Sequence, residues 1–344
     1  MKVLVTGSAG IFGTHLVRRL ARSAGEPYEV IGLDIRDAEP IPGVRQVIGD
    51  VRDPDMVGRL TDGADAVVHC AAALPSHDEA DVWSVDVDGT STVLAAARRC
   101  GVSRFVHISS TAVYGVPEVQ PTPENHPFVG VDPYNRAKIA AERLCGQYRD
   151  EGMCLPILRP KTFLGPERLG LFAMLFEWAS EGRGFPVLAG GRVRCQMLDV
   201  ADLCDVTVEA LHRPADAVND VFNVAASEFG LLRDEFQAVL DAAGHGRRVI
   251  TIPARPAIGV LRALEKLHIS PVYKRLARKL LHDSYVSIDR ARSRLGFDPK
   301  FSNTESLLRT YDWYLEHARG TQHTGRSHGE PWRQGALKLV KAAF

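Results

Sequence analysis

The chain has 344 residues, of which 45% are hydrophobic and 24% charged, and its 42 basic side chains balance 42 acidic ones. This composition excludes an intrinsically disordered chain, and the length allows a substantial core in one or two domains. The sequence has no apolar run of about 18 residues and no signal-peptide core at its N-terminus, so we expect a cytoplasmic protein without a membrane span.

Short apolar runs alternate with amphipathic segments over the first 160 residues. Continuous apolar runs of this length are typical of buried parallel strands, and their alternation with helices indicates βαβ units. The sequence therefore predicts an α/β fold with a Rossmann-type doubly wound parallel sheet. The predicted strands are residues 2–5, 29–33, 66–69, 104–108 and 155–158.

The pattern loosens after residue 160. Helices are predicted at 172–180, 200–212 and 231–243, and a strand at 221–224. Residues 253–283 read as two basic amphipathic helices joined at Ser270-Pro271. Residues 317–344 read as a flexible linker followed by a short basic amphipathic helix.

A glycine-rich turn directly follows the first predicted strand, and a helical pattern follows the turn. Gly7 lets the chain turn, Gly10 lets the backbone approach a pyrophosphate, and Gly13 lets the helix pack closely on the strand. This context predicts a dinucleotide-binding loop whose helix N-terminus faces the phosphates, and the alternative is a loop that serves only tight packing. The predicted contacts are Gly7, Gly10, Ile11, Phe12 and Gly13.

Acidic residues follow the next two strands of the chain. Asp34 lies about twenty residues after the glycine turn, where a carboxylate accepts hydrogen bonds from the adenosine ribose. Such an acid repels a 2′-phosphate and favours NAD over NADP, although Arg36 would offset part of the repulsion. Asp50 is expected at the adenine edge, or else it caps the next helix. The predicted contacts are Asp34, Ile35, Arg36, Asp50 and Val51.

Tyr134 and Lys138 are spaced i and i+4 at the start of a predicted helix. Side chains at this spacing lie on one helical face, about 5–6 Å apart at Cβ. A phenol titrates near pH 10, but a neighbouring ammonium group and a nicotinamide cation would stabilise its phenolate. Tyr134 could therefore act as general base or acid while a hydride passes to or from the nicotinamide.

With these residues the chain resembles the extended short-chain dehydrogenase/reductase family, the NAD-dependent epimerases and dehydratases. The resemblance covers residues 1 to about 316. The matching segments are the glycine turn, Asp34, His69-x-Ala-Ala, Ser109-Ser-x-x-Val-Tyr-Gly115, Tyr134-x-x-x-Lys138, Leu158-Arg159-Pro160 with Gly165-Pro166, Asp199-Val-x-Asp202, Phe222-Asn223-Val224, and Leu295-Gly296-Phe297 leading to Trp313.

The resemblance implies an NAD-binding domain over residues 1–160 and a mainly substrate-binding α/β domain over 161–316, with segments near 195–225 returning to the first. It places Ser110 at the family's catalytic Ser/Thr position, where it would bind the reacting oxygen beside Tyr134. Tyr134 and Lys138 would also bind the cofactor. The residues that would line the nicotinamide side are Ala71, Ala72, Ala73, Arg159 and Pro160.

The chain departs from the family pattern where dehydratases and nucleotide-sugar enzymes bind substrate. Dehydratases typically carry an Asp-Glu pair after the catalytic Ser/Thr, and Thr111 and Ala112 stand there instead. Dehydration would thus lack its acid and base. The usual Asn is replaced by Thr162, and Asp86 stands where Asn is more frequent. The expected substrate contacts are Ser110, Thr111, Lys161, Thr162, Arg194 and Arg278.

Three functions remain open at this point. The first is an NAD-dependent epimerase of a nucleotide sugar, in which a transient ketone receives the hydride back. The second is a net dehydrogenase or reductase of a lipidic alcohol, such as a sterol or an isoprenoid-linked substrate. The third is a non-catalytic sensor of the cofactor, which the joint presence of Ser110, Tyr134 and Lys138 disfavours.

Charge is unevenly distributed along the neutral chain. Residues 1–160 carry 16 basic and 21 acidic side chains, whereas residues 253–344 carry 17 and 8. The basic quarter leads us to expect an anionic small-molecule substrate, or a weak membrane-surface contact through 253–283 or 332–344. We expect no nucleic-acid partner. By the family's habit we expect a homodimer through helices at 86–99 and 133–148.

Cysteine and histidine spacing predicts no metal site. The six cysteines lack a C-x-x-C pair, and the twelve histidines show no spacing typical of metal ligands. His69 and His107 lie on predicted core strands and are expected to be interior groups with satisfied hydrogen bonds.

Overall fold

The computed structural model describes residues 1–23, 28–75, 77–170, 172–253 and 281–317. Its strands are β1 (Lys2–Thr6), β2 (Glu29–Asp34), β3 (Val44–Ile48), β4 (Ala66–His69), β5 (Arg104–Ile108), β6 (Ile157–Pro160), β7 (Phe163–Leu164), β8 (Phe185–Leu188), β9 (Leu198–Asp199), β10 (Val221–Val224) and β11 (Val249–Ile252). Seven of them form one parallel sheet in the order β3-β2-β1-β4-β5-β6-β10. The predicted doubly wound parallel sheet is confirmed.

Eleven α-helices are found among the described residues. They are α1 (Ile11–Ala21), α2 (Pro54–Thr61), α3 (Glu79–Trp83), α4 (Gly89–Arg99), α5 (Pro133–Asp150), α6 (Phe172–Ser180), α7 (Val200–His212), α8 (Ala215–Val218), α9 (Leu232–Ala242), α10 (Asp289–Leu295) and α11 (Asn303–His317). A π-helical segment, Ser84–Asp88, joins α3 to α4, and a 3₁₀ turn, Thr111–Tyr114, follows β5.

The sheet is buried on both faces, which explains why its strands are continuous apolar runs. Successive side chains of a strand point to opposite faces. Val3 and Val5 pack with residues of α1 and α7 on one face, whereas Leu4 packs with residues of α2 and α4 on the other. Covering helices on both faces are what a parallel sheet requires.

Two strand predictions needed revision. The strand predicted at 155–158 lies two residues later, at Ile157–Pro160, where it pairs with β5 and β10. Strand β3 was not delimited from the sequence, because it lies at the sheet edge and its residues are only partly buried.

The chain after β6 adds two small parallel pairs, β7 with β9 and β8 with β11. A separate hydrophobic cluster here includes Phe176 and Trp178 of α6 and Tyr311 of α11. The division into domains at residue 160 stays a prediction. The predicted basic helices and tail lie almost entirely at 254–280 and 318–344, outside the described residues. Within the described residues, no helix is long and apolar enough to cross a membrane.

Candidate active site

The glycine turn after β1 packs against the loop after β4. Gly7 has a φ of +71°, and a Cβ there would lie 2.7 Å from the Ala71 Cα. A Cβ on Gly13 would lie 2.1 Å from the Gly7 carbonyl oxygen. Both positions therefore require glycine. The turn lies between β1 and β4, where the strand order reverses and ligands bind in open α/β sheets.

Helix α1 begins inside this turn without a side-chain cap. Gly10 is the N-cap residue and supplies no side-chain hydrogen bond, so the first amides of the helix can bind an anion. Phe12 is only 5% exposed and packs in the core, which leaves its backbone N–H as its possible contribution. The predicted loop residues are thus brought together in a form that fits a pyrophosphate.

Asp34 is held against the glycine turn by backbone amides. Its carboxylate accepts hydrogen bonds from the Ala9 N–H at 3.0 Å and the Arg36 N–H at 2.9 Å. The Arg36 guanidinium donates to the Ala9 carbonyl at 2.6 Å and lies 3.5 Å from the Asp34 carboxylate. Ile35 is exposed beside them. This carboxylate therefore lies at the position the adenosine ribose would need.

Asp50 does not cap the helix that follows it. Its carboxylate is bound by Arg52, whose Nη2 donates at 2.5 Å, and these hydrogen bonds hold the pKa of Asp50 below its ordinary value. The N-cap of α2 is Asp53, which accepts from the amides of Asp55 and Met56. The capping alternative for Asp50 is wrong, because Pro54 occupies the first helical position and places Asp53 before it. Val51 is buried beside Asp50.

Tyr134 and Lys138 lie in the first turns of α5. Asp132 caps this helix by accepting from the Asn135 N–H at 2.8 Å, and Pro133 takes the first helical position. The buried Asn135 amide donates to the Ala112 carbonyl, which seats the helix against the turn after β5. The Lys138 ammonium lies 5.8 Å from the centroid of the Tyr134 ring.

Ser110 is in the turn against which α5 is seated. It is partly exposed, and its Oγ accepts a hydrogen bond from the Ala112 N–H at 3.1 Å, which caps the 3₁₀ turn. The Thr111 hydroxyl donates to the Pro160 carbonyl at 3.4 Å, so the turns after β5 and β6 touch. The structure thus brings Ser110, Thr111 and Pro160 to the same edge of the sheet as Tyr134.

Lys138 forms a buried ion pair with Asp86 from the π-helical segment. Their charged atoms lie 3.3 Å apart, with 4% and 0% of the two side chains exposed. Burial is the largest single influence and disfavours the ammonium, but Asp86 and Tyr134 together raise the pKa of Lys138, whereas burial raises the pKa of Asp86. The other Asp86 oxygen accepts from the Ala73 N–H at 2.7 Å. Ala71, Ala72 and Ala73 therefore run from the glycine turn to this pair.

Arg168 is a candidate residue that sequence analysis did not find. Its guanidinium lies 4.9 Å from the centroid of the Phe163 ring, and it interacts electrostatically with Tyr134. Its Nη1 is buried without a hydrogen-bond partner among the described residues. Burial lowers the pKa of Arg168 to about 10. A basic residue two positions after the Gly165-Pro166 motif was the signal available.

Arg159 lies in a buried network rather than at the surface of the site. It donates to both oxygens of Glu142, at 2.9 and 2.5 Å, and to the Tyr114 hydroxyl at 2.7 Å. Ser109 also donates to Glu142, and burial raises the pKa of Tyr114 to about 12. The Arg159 guanidinium is therefore held by Glu142 and Tyr114, and the lining of the nicotinamide side by the loop that contains Arg159 stays a prediction.

Of the residues predicted to contact substrate, Lys161 and Arg194 both bond to Ser284, whose N–H donates to the Arg194 carbonyl at 2.8 Å. Lys161 is 7% exposed and its ammonium donates to the Ser284 hydroxyl at 2.7 Å, without a carboxylate at ion-pair distance among the described residues. Burial lowers the pKa of Lys161. Thr162 and Arg194 are exposed, and the Arg194 N–H donates to the Asp283 carboxylate at 2.8 Å. Arg278 lies outside the described residues.

The prediction for the core histidines is half wrong. His69 bonds to the hydroxyls of Thr6 at 2.7 Å and Thr90 at 3.0 Å, as expected. His107 stacks on it with ring centroids 5.7 Å apart, but neither of its nitrogens has a partner among the described residues. Strand β5 places this ring inside the fold beside the His69 ring, and the strand pattern indicates its burial but not its partners.

A sequence model of the NAD-dependent epimerase/dehydratase family matches residues 3–225. The chain belongs to this family. NAD is accordingly its cofactor and it is an enzyme, which disfavours the cofactor-sensing alternative. The glycine turn, the uncapped start of α1 and Asp34 are the residues that fit NAD.

Curated relatives of the family act on more than one class of substrate. An uncharacterised protein, y4nG of Sinorhizobium fredii, is 32% identical over 99% of this chain and 86% of its own length. A dTDP-glucose 4,6-dehydratase of Streptomyces niveus is 27% identical over 92% and 93%. A 3β-hydroxysteroid dehydrogenase/Δ5→4-isomerase of Mycobacterium tuberculosis is 28% identical over 91% and 90%.

A solved member of the family has the same fold. The UDP-glucuronic acid 4-epimerase of Bacillus cereus, crystallised with NAD, superposes with a TM-score of 0.76. It shares 22% identity, and the alignment covers 93% of this chain and 100% of the epimerase chain. At this identity the similarity supports the fold of this chain and does not identify its substrate.

Proposed function

We propose that this enzyme is an NAD-dependent epimerase of a nucleotide sugar. The observation that carries the proposal is the site at the carboxyl edge of the sheet, where Tyr134 and Lys138 share a helical face. The positions after Ser110 hold Thr111 and Ala112, so this site has proton-transfer chemistry for a hydroxyl but lacks the acidic pair of a dehydratase.

The amides of the glycine turn would hold the pyrophosphate of NAD, and Asp34 would hold its adenosine ribose. Ala71, Ala72 and Ala73 would line the crevice on the nicotinamide side. When bound, the cofactor supplies a hydride acceptor that later serves as the hydride donor. The chain itself would supply the proton transfer, through Tyr134, and would orient the reacting hydroxyl, through Ser110.

Tyr134 would accept the proton of a sugar hydroxyl as a hydride leaves the carbon that bears this hydroxyl. It would return the proton to the oxygen when the ketone is reduced. Two cations face the phenol: Lys138 from its own helix and Arg168 from the loop after β7. Both would stabilise a phenolate electrostatically. Ser110 would donate a hydrogen bond to the reacting oxygen.

Thr111 and Ala112 make water elimination unfavourable here. The Thr111 hydroxyl already donates to the Pro160 carbonyl, and the buried Ala112 has no group that transfers a proton. A ketone formed at this site would therefore be reduced rather than lose water. Return of the hydride to its opposite face gives the epimer.

An anionic substrate fits the cations on this side of the molecule. Lys161 and Arg168 are buried positive charges without carboxylate partners among the described residues, and such charges favour an anionic ligand. The S. niveus dehydratase and the B. cereus epimerase act on dTDP- and UDP-sugars, which carry a diphosphate. The same class of substrate is proposed for this enzyme.

The test is incubation of the purified protein and NAD with a panel of UDP- and dTDP-sugars, followed by NMR. The expected result is a C4 epimer without accumulation of NADH, and no product from the Tyr134→Phe variant. Absence of turnover across the panel by the wild-type enzyme would reject the nucleotide-sugar substrate.

The second candidate is NAD-dependent oxidation of a lipidic secondary alcohol. The M. tuberculosis steroid dehydrogenase is as similar to this chain as the sugar enzymes, and Thr162 replaces the Asn usual in nucleotide-sugar enzymes. Incubation with 3β-hydroxysteroids would then produce NADH stoichiometrically. An epimerase regenerates its NAD in each cycle, so net NADH separates the two functions.

A further inference from the structure

Asp86 lies where a helix is interrupted beside the candidate site. The π-helical segment Ser84–Asp88 joins α3 to α4, and such segments occur frequently at functional sites. The Asp86 side chain is buried, with one oxygen bound by the Ala73 N–H at 2.7 Å and the other 3.3 Å from the Lys138 ammonium. One carboxylate thus joins the loop after β4 to the lysine on α5.

The negative charge of Asp86, rather than its shape, distinguishes it from an asparagine at the same position. An asparagine, which the resemblance makes the more frequent residue here, could accept the same hydrogen bond from Ala73 with its amide oxygen. It could not compensate the charge of Lys138. A buried ammonium is costly unless it is paired, so the carboxylate stabilises the charged form of Lys138 before any phenolate forms.

We propose that Asp86 is a positioning residue that holds the Lys138 ammonium and, by offsetting its charge, raises the pH at which Tyr134 gives up its proton. This inference rests on the proposed role of Tyr134 in proton transfer. Without Asp86, the Tyr134 phenolate would be the counter-charge of Lys138. With Asp86 present, Tyr134 shares the lysine with a second anion.

The neighbouring side chains of His69, His107 and Cys70 do not alter the charge balance among Asp86, Lys138 and Tyr134. Burial lowers the pKa of His69 to about 3 and lowers that of His107 well below its ordinary value, so both rings are neutral. Burial also raises the pKa of the Cys70 thiol, which stays protonated. The charge balance involves Tyr134 and Lys138 from α5 and Asp86 from the π-helical segment. The other described titratable groups that act on these three residues are His69 and Cys70 from the end of β4, His107 from β5, His77 from the loop before α3, and Arg168 from the loop after β7.

The test compares Asp86→Asn with the wild-type enzyme, both saturated with NAD. Tyr134 is titrated through the ultraviolet phenolate band, as the difference between each protein and its Tyr134→Phe counterpart. The midpoint is expected to move to lower pH by about one unit in Asp86→Asn, because the carboxylate that offsets the charge of Lys138 is removed. The acid limb of kcat/KM for the enzyme's substrate is expected to move equally.

Two further variants separate charge from structure. Asp199→Asn is the matched control, because Asp199 is also buried and forms an ion pair, 2.7 Å from Arg309, away from Lys138. It should leave the Tyr134 midpoint unchanged. Asp86→Ser retains a hydroxyl that can accept from Ala73 and should show the same shift as Asp86→Asn, which keeps the test decisive if the asparagine variant does not fold.

An unchanged or raised Tyr134 midpoint in folded Asp86→Asn would overturn the inference, as would an equal shift in Asp199→Asn. The titration needs no substrate. A lowered midpoint in an enzyme that epimerises no nucleotide sugar would therefore refute the proposed substrate and leave the role of Asp86 intact.

Discussion

The stacked histidines His69 and His107 make the stability of this fold sensitive to acid. Burial lowers the pKa of His69 to about 3 from its ordinary 6.5, and lowers that of His107 in the same direction. The unfolded chain takes up a proton at each ring as the pH falls below about 6.5, whereas the folded chain does not. Unfolding is therefore favoured progressively between about pH 6.5 and the folded pKa.

The size of the effect follows from this difference. Each pH unit below about 6.5 costs about 1.4 kcal/mol per histidine, so at about pH 5 the pair costs about 4 kcal/mol relative to neutral pH. Replacement of His107 removes one of the two protons taken up. His107→Phe should therefore roughly halve this part of the loss. At neutral pH the variant should be at least as stable as the parent, because neither ring nitrogen of His107 has a hydrogen-bond partner in the described part of the chain.

The assay is urea denaturation followed by tryptophan fluorescence, at several values between about pH 7 and about pH 5. The quantity compared is the change with pH in the stability difference between variant and parent. His317→Phe is the control, because His317 is exposed and should leave the pH dependence unchanged. Parallel pH curves for His107→Phe and the parent would refute the argument that His107 is held neutral by burial.

Three further predictions concern the site and its support. Tyr134→Phe should lower kcat by a factor of about 10² to 10⁴ when product formation is measured at saturating NAD; full activity would exclude Tyr134 as the proton-transfer group. Gly13→Ala should abolish NAD binding in a fluorescence titration, because its Cβ would lie 2.1 Å from the Gly7 carbonyl oxygen, and retained affinity would contradict that geometry. Glu142→Gln should destabilise the fold by about 3–5 kcal/mol in chemical denaturation, because Arg159 would lose its buried counter-charge; a loss below about 1 kcal/mol would show that the network tolerates a neutral partner.

The strands and helices could be predicted from the sequence, because each has a local residue pattern. Alternating short apolar runs and helical patterns give the doubly wound sheet, and four of the five strands predicted at the N-terminal end lie within one residue of their observed bounds. The fifth is displaced because β6 ends at Pro160 and is defined by its pairing with β5 and β10, which the local apolar run from Leu155 to Leu158 does not encode. The start of α5 was similarly accessible, because Asp132 and Pro133 are typical capping and first-turn residues.

The contacts across the fold could not be predicted in this way. Asp86 and Lys138 meet only because the π-helical segment and α5 pack together, and nothing in the local pattern of either one encodes that pairing. The same holds for Arg168, which a loop brings toward Tyr134 from beyond β7. His107 was misjudged because burial is visible in a strand pattern, whereas the absence of an acceptor depends on the neighbouring strands.

Helix α5 sets the spacing between the Tyr134 phenol and the buried polar contacts that support it. Tyr134, Lys138 and Glu142 follow one another at intervals of four residues, and they reach the phenol site, the Asp86 carboxylate and the Arg159 network in turn. Eight residues of helix span about 12 Å, so these three points have a set spacing. Inserting a single residue between Lys138 and Glu142 would rotate one half of the helix relative to the other by about 100°, so that only one half could keep its partners. The length of this helix between residues 134 and 142 is therefore as strictly constrained as the identity of its polar side chains.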